Sequence, residues 1–237
     1  MLLHAGIADR TMWGEQLEPL AAAGYRAVAF DIPGFGEAAV SPGPDAPWND
    51  VLESMAELGI EGAALVGNSY GGAVALRVAV VAPAAVSSLV LISAPAPGLE
   101  PSPELRTAWE AEEAAIERGD IDAAVDLVLE TWVPARLRDR VAPMQRRAFE
   151  LQAKAEGVTE ARDPASDLDG LRRIDVPTLI AAGEHDMPDF RDGASAMAEV
   201  IPGARLELIE GVGHLAPLEA PEQFRGLTLE FLADSQR

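Results

Sequence analysis

The chain has 237 residues, 18 basic against 39 acidic, a formal net charge of −21 and no cysteine. That balance argues against nucleic acid and anionic membrane surfaces as partners, and the missing cysteine excludes disulfides and thiolate metal sites. With 49% hydrophobic residues the chain can bury the core of one α/β domain with an insertion, or of two small domains. No apolar run approaches the ~20 residues of a membrane span, and no basic n-region with a cleavage site opens the chain, so a cytoplasmic location is expected.

In chain order, Met1-Leu2-Leu3-His4 reads as the end of an apolar strand. A helix is expected from about Thr11 to Ala23, ended by Gly24. Tyr25 to Phe30 is the next strand, stopped by the turn composition Asp31-Ile32-Pro33-Gly34-Phe35-Gly36. Residues 41 to 47 are a Pro/Gly-rich loop, and Trp48 to Gly59 is helical. Ala63-Ala64-Leu65-Val66 suits a buried strand, and Gly72 to Ala79 suits a helix. Ser87–Ile92, Val176–Ala182 and Ala204–Ile209 are further buried strands, and a helix from about Pro221 to Ala233 closes the chain. Short apolar strands alternating with helices imply a parallel sheet covered on both faces. Residues 98–170 break the alternation: Glu104–Arg118, Ile121–Glu130 and Ala142–Ala155 look helical. The expected division is a core of residues 1–97 and 171–237 with a helical cap of residues 98–170 over a pocket.

Between the strand at 63–66 and the helix at 72–79 lies Gly67-Asn68-Ser69-Tyr70-Gly71, which fits Gly-x-Ser-x-Gly. Strand, tight turn and helix form the context this nucleophile elbow requires. The turn strains the serine backbone, so small residues are needed where chains crowd. A hydroxyl there stands at a helix N-terminus, whose N–H groups can stabilise an oxyanion. A nucleophilic serine needs a base, and the base needs an orienting acid. The three histidines are at 4, 185 and 214. His214 follows the last strand in Glu210-Gly211-Val212-Gly213-His214, where glycines let the loop carry an imidazole back over the sheet. The loop after the preceding strand offers Glu184, Asp186 and Asp189. Asp186 is the chosen acid; Glu184 sits nearer the strand end, and Asp189 suits a helix N-cap. His185 reads as a solvated residue or pocket wall.

The order Ser69, Asp186, His214, with these flanks, resembles the α/β-hydrolase fold superfamily over nearly the whole chain. His4-Ala5-Gly6-Ile7-Ala8-Asp9, followed by Met12-Trp13, looks like the family's oxyanion loop, with Ala5 where family members commonly have glycine. That departure resembles a lactonase and esterase subgroup near the 3-oxoadipate enol-lactonases. The 31–36 turn resembles the family's Asp-x-x-Gly-x-Gly, with Glu37 where a serine commonly follows. The resemblance implies oxyanion donors at the N–H groups of Tyr70 and Gly6, with Ile7 the alternative to Gly6, and a His4 ring that braces the loop. It also implies a sheet without the two strands that family members carry ahead of this loop, because the chain starts almost on the loop itself. The implied activity is serine hydrolysis of a small-molecule carboxylic ester or lactone through an acyl-enzyme, with no metal or organic cofactor. Hydrolysis of carbon–carbon bonds in meta-cleavage products uses the same triad and is the runner-up; a noncatalytic ligand-binding protein of this fold is the alternative from another class. Ser69 argues against dehalogenation, which uses an aspartate at the elbow. Trp13, Trp109 and Trp132 are candidate pocket residues, Trp13 competing with a place in the core. Glu110, Glu112 and Glu113 could anchor an amine, against the plainer reading of a solvated helix face.

Overall fold

The computed structural model describes residues 1–235. Its strands are β1 (Leu2–Leu3), β2 (Ala29–Phe30), β3 (Gly43–Asp45), β4 (Ala63–Asn68), β5 (Val86–Ile92), β6 (Val158–Glu160), β7 (Thr178–Gly183) and β8 (Arg205–Ile209). Six of them form one sheet in the order β2-β1-β4-β5-β7-β8, every pairing parallel. The helices are α1 (Gly14–Ala22), α2 (Pro47–Glu57), α3 (Tyr70–Val81), α4 (Pro103–Glu117), α5 (Ile121–Trp132), α6 (Arg138–Gln152), α7 (Pro188–Val200), α8 (Ala216–Glu219) and α9 (Pro221–Asp234). None of the described helices is long and apolar enough to cross a membrane.

Parallel strands are covered on both faces, so successive side chains must both find apolar partners. Leu2, Val66, Val90 and Leu179 point to one face and share a core with α9 residues Phe224 and Phe231. Leu3, Leu65, Leu91 and Ile180 point to the other, against Leu76 of α3 and Met197 of α7. The first core continues into α5 and α6 through Val125, Val128, Val141 and Phe149. The α4–α6 segment therefore rests on the sheet's apolar layer rather than hanging from it.

Element boundaries differ from the sequence expectations where tertiary contacts intervene. The first helix is preceded by a 3₁₀ turn at Arg10–Trp13, capped by the Asp9 carboxylate on Thr11 N–H. The α6 helix begins at Arg138 rather than at the expected Ala142, and carries Pro143 inside it. The loop expected at 41–47 contains β3, which pairs in parallel with β6 outside the main sheet. Neither segment has apolar alternation; their pairing joins residues more than a hundred positions apart, and local pattern carries no trace of it.

The turn after β2 is built around Asp31. Its carboxylate accepts from the backbone N–H groups of Arg10 (2.7 Å) and Glu37 (3.0 Å), and it pairs with the Arg10 guanidinium. Arg10 also pairs with Glu37, so the residue that departs from the family pattern is tied to the same centre. Gly36 has φ 55°, and a Cβ there would lie 2.5 Å from the Asp31 carboxyl carbon. His4 links this turn to the first loop. Its Nδ1–H donates to Ala5 O at 2.8 Å, and Nε2 accepts from Ile32 N–H at 3.0 Å. This pair of bonds demands the neutral ring, and burial lowers the His4 pKa from its ordinary 6.5.

A folded state that refuses this proton loses stability wherever the unfolded chain binds it. The His4 contribution is therefore complete above pH 6.5 and declines as the pH falls below that value. Urea unfolding at pH 7.5 and 5.5 should show wild type losing up to about 1.4 kcal/mol per pH unit below 6.5 relative to His4→Gln. A difference between the two proteins that does not change with pH would contradict this account.

Candidate active site

Ser69 lies between β4 and α3 with φ 53° and ψ −118°, a conformation L-residues avoid. It is held there from three sides. Its N–H donates to Ile92 O at the end of β5 (2.8 Å), and its carbonyl accepts from Ala73 N–H in the helix. A Cβ at Gly67 would lie 2.5 Å from Gly72 N, and one at Gly71 would lie 2.6 Å from His4 O. Both glycines of the motif are thus required by backbone approach.

The three residues singled out by spacing come together. Ser69 Oγ is 2.8 Å from His214 Nε2. His214 Nδ1 is 3.0 and 3.1 Å from the two Asp186 oxygens. An ionised carboxylate can only accept, so Nδ1 carries the proton, and Nε2 is left to accept from the serine hydroxyl. Asp186 also accepts from Met187 N–H at 2.8 Å, and its side chain is 1% exposed.

The other acids of that loop have different partners. Glu184 accepts from Gly211 N–H at 2.9 Å, bracing the His214 loop from outside. Asp189 is not the helix N-cap, a position held by Met187. It accepts instead from the N–H (2.7 Å) and hydroxyl (2.8 Å) of Ser102, joining α7 to the start of α4. The His185 ring is exposed.

Gly6 and Ile7 occupy the turn closed by Ala8 N–H on Ala5 O. A Cβ at Gly6 would lie 3.3 Å from Tyr70 Cβ, so the first loop and the head of α3 are in contact. Among the described residues, no backbone carbonyl accepts from the N–H groups of Gly6, Ile7 or Tyr70. Burial pushes the Tyr70 phenol up to about 12, so it is a neutral wall and no base.

Ser69 and His214 open into a cavity of about 950 Å³, also lined by Gly6, Tyr70, Trp109 and Trp132. Trp13 is elsewhere: it is fully buried against Phe224, ring centroids 5.7 Å apart, and lies in the core. Its proximity in sequence to the first loop made it a pocket candidate, but its ring turns under the sheet. Trp132 and Phe190 pack on the His214 ring at centroid distances of 4.7 and 4.4 Å. Asp45, Glu112, Glu113 and Glu117 supply carboxylates to the wall, and no Lys or Arg is among the residues that line it. Burial raises the Glu112 carboxyl above the usual range. Among the described residues no group of three His, Asp or Glu side chains is arranged to hold a metal.

Three contributors escaped sequence reasoning. Phe190 covers the imidazole, and nothing in an isolated helix start marks it. Asn68 fills a variable position of the motif, yet its Nδ2 donates to Ile92 O (3.1 Å) and His214 O (3.0 Å). Glu219 accepts from Gly213 N–H (2.9 Å) and Leu215 N–H (3.0 Å), on either side of the histidine.

The sequence profile of the Alpha/beta hydrolase family matches residues 1–227. The chain belongs to that family. A 2-hydroxy-6-oxononadienedioate/2-hydroxy-6-oxononatrienedioate hydrolase from a Pseudomonas species is 29% identical over 221 residues, covering 89% of this chain and 78% of that protein. A thermophilic esterase from Thermogutta terrifontis superposes with a TM-score of 0.82 at 27% identity, covering 100% of this chain and 89% of that one. The enol-lactonase from Burkholderia xenovorans LB400 shares the fold at a TM-score of 0.75 and 24% identity, over 98% and 90% of the two chains.

The strained turn generates a stability prediction. Glycine is the residue that tolerates the Ser69 backbone, and strain of this kind costs roughly 1–3 kcal/mol. Ser69→Gly should therefore unfold with a free energy about 1 kcal/mol higher than Ser69→Ala, measured by urea denaturation. Equal or lower stability for the glycine variant would mean that the turn is not strained.

Proposed function

We propose that the chain is a serine hydrolase that cleaves a carboxylic ester or lactone of a small molecule through an acyl-enzyme intermediate. One observation carries the reading: a buried carboxylate, an imidazole and a serine hydroxyl in continuous hydrogen-bond contact at the floor of a cavity. A pure binding protein has no use for all three. Ser69 attacks the carbonyl carbon while His214 takes its proton. Asp186 holds the ring and stabilises its cationic form. The N–H groups of Tyr70 and Gly6 receive the oxyanion, each contributing about 3 to 4 kcal/mol to the transition state. His214 then protonates the leaving group, and water repeats the cycle to free the acid. Trp132 and Phe190 shield the imidazole from solvent, which strengthens the electrostatics of both steps. In this reading residues 98–170 act as a cap on a core of 1–97 and 171–237, and Trp109 and Trp132 belong to the substrate wall.

Carbon–carbon hydrolysis is the competing reaction, because the same triad serves it. The named substrate of the Pseudomonas relative is a dioate, which carries two carboxylates. Here the wall presents Asp45, Glu112, Glu113 and Glu117. A substrate carboxylate at roughly 7 Å from one of these, at an effective dielectric of about 20, is repelled by about 2 kcal/mol. That charge pattern favours a neutral or cationic ester.

Three esters of matched size, neutral, ammonium-bearing and carboxylate-bearing, test the reading at low salt. The carboxylate ester should have kcat/KM at least about tenfold below the neutral one, the gap narrowing as salt is raised. Ser69→Ala should abolish turnover of all three and leave the fold intact. A preference for the carboxylate ester would bring the dioate reading forward, and full activity in Ser69→Ala would end the serine assignment.

A further inference from the structure

The loop that carries His214 has no regular secondary structure, so its backbone polar groups must find partners elsewhere. Side chains supply most of them. Glu184 takes Gly211 N–H, Asn68 donates to His214 O, and Glu219 takes the N–H groups of Gly213 and Leu215. His185 N–H closes on Val212 O at 2.8 Å. Of these partners, Glu219 is the one whose two oxygens straddle the histidine in sequence.

Half of that arrangement has a local explanation. Leu215 is the N-cap of α8, and an acid reaching back to the N-cap N–H is a familiar way to close a helix start. The other half does not. Gly213 lies two residues before the N-cap, and its N–H needs nothing from α8. The carboxylate spans both, so the peptides entering and leaving His214 are fixed to one rigid group. The next turn holds that group in place: Glu219 N–H donates to Leu215 O at 2.9 Å, and Glu219 O accepts from Arg136 Nη2 at 3.0 Å. Arg136 follows α5, whose Trp132 packs on the imidazole itself.

We infer that Glu219 is a positioning residue, which aims the His214 imidazole at Ser69 by clamping the peptides on both sides of it. This rests on the triad reading, in which His214 is the base. Nε2 meets Ser69 Oγ at 2.8 Å, and Nδ1 meets Asp186 at 3.0 Å, so a small rotation of the loop breaks one bond or the other. Misplacement of a reacting group by about 1 Å costs on the order of a hundredfold in rate. Glutamine is nearly the shape of glutamate but keeps one acceptor oxygen and turns an NH₂ toward the second N–H. It therefore releases one side of the clamp.

The test compares Glu219→Gln with wild type on a neutral ester, and repeats the substitution in a His214→Ala background. Serine active-site titration counts the competent molecules. Glu219→Gln should lower kcat about ten- to a hundredfold, leave KM within twofold, and leave the titrated fraction unchanged. In the His214→Ala background the same substitution should change the residual rate of fluorophosphonate inactivation by less than twofold, because there is no base left to aim. Glu219→Asp, which keeps the charge but is too short to span both N–H groups, should lose kcat in the same manner and carries the cycle if the glutamine variant does not fold. Retention of kcat within twofold, or an equal loss of the fluorophosphonate inactivation rate when Glu219→Gln is made in the wild-type and in the His214→Ala background, would overturn the proposal and leave Glu219 with a purely structural part. If His214→Ala itself inactivates at the wild-type rate, the triad reading fails first, which is a separable outcome.

Discussion

The serine hydroxyl that meets an imidazole 145 residues further along the chain is borne by a turn in a backbone conformation that serine avoids. The φ of 53° at Ser69 is that constraint. It explains why glycines stand at 67 and 71, since a side chain at either would collide with backbone. The turn follows β4, an interior strand of the sheet with β1 on one side and β5 on the other. The bond from Ser69 N–H to Ile92 O makes the end of β5 part of the same support.

The rest of the site follows from satisfying polar groups at the carboxyl ends of parallel strands. Loops there leave the sheet's hydrogen-bond ladder, and buried N–H and C=O groups must be matched one by one. Asp31, Asn68, Glu184, Asp186 and Glu219 each do so: the first three tie one segment to another, while Asp186 and Glu219 satisfy N–H groups of their own loops. The surface is rich in acid, but these five side chains are used as acceptors or donors for particular backbone groups. His4 does similar work in its neutral form, bridging Ala5 O and Ile32 N–H.

Much of this was legible in the sequence because period and punctuation are local properties. Apolar runs bounded by Gly and Pro mark β4, β5, β7 and β8, and the elbow, the Asp186 loop and the His214 loop fall at their ends. What could not be read depends on distant contacts. The β3–β6 ladder has no alternating pattern, and the destination of Trp13 is decided by Phe224 in the last helix. Asp189 looked like a cap by position, yet its partner is Ser102 across the molecule. Asn68 and Glu219 carry no motif of their own, and their importance appears only when the two loops are brought together.

The central claim is that Ser69 is an activated nucleophile because His214 accepts its proton. Intact mass after exposure to a fluorophosphonate, on wild type, Ser69→Ala and His214→Ala, tests it most directly. A single adduct on wild type that is lost in Ser69→Ala and strongly slowed in His214→Ala is the predicted result. A folded wild-type chain that takes no adduct, or one labelled equally in all three proteins, would contradict the account.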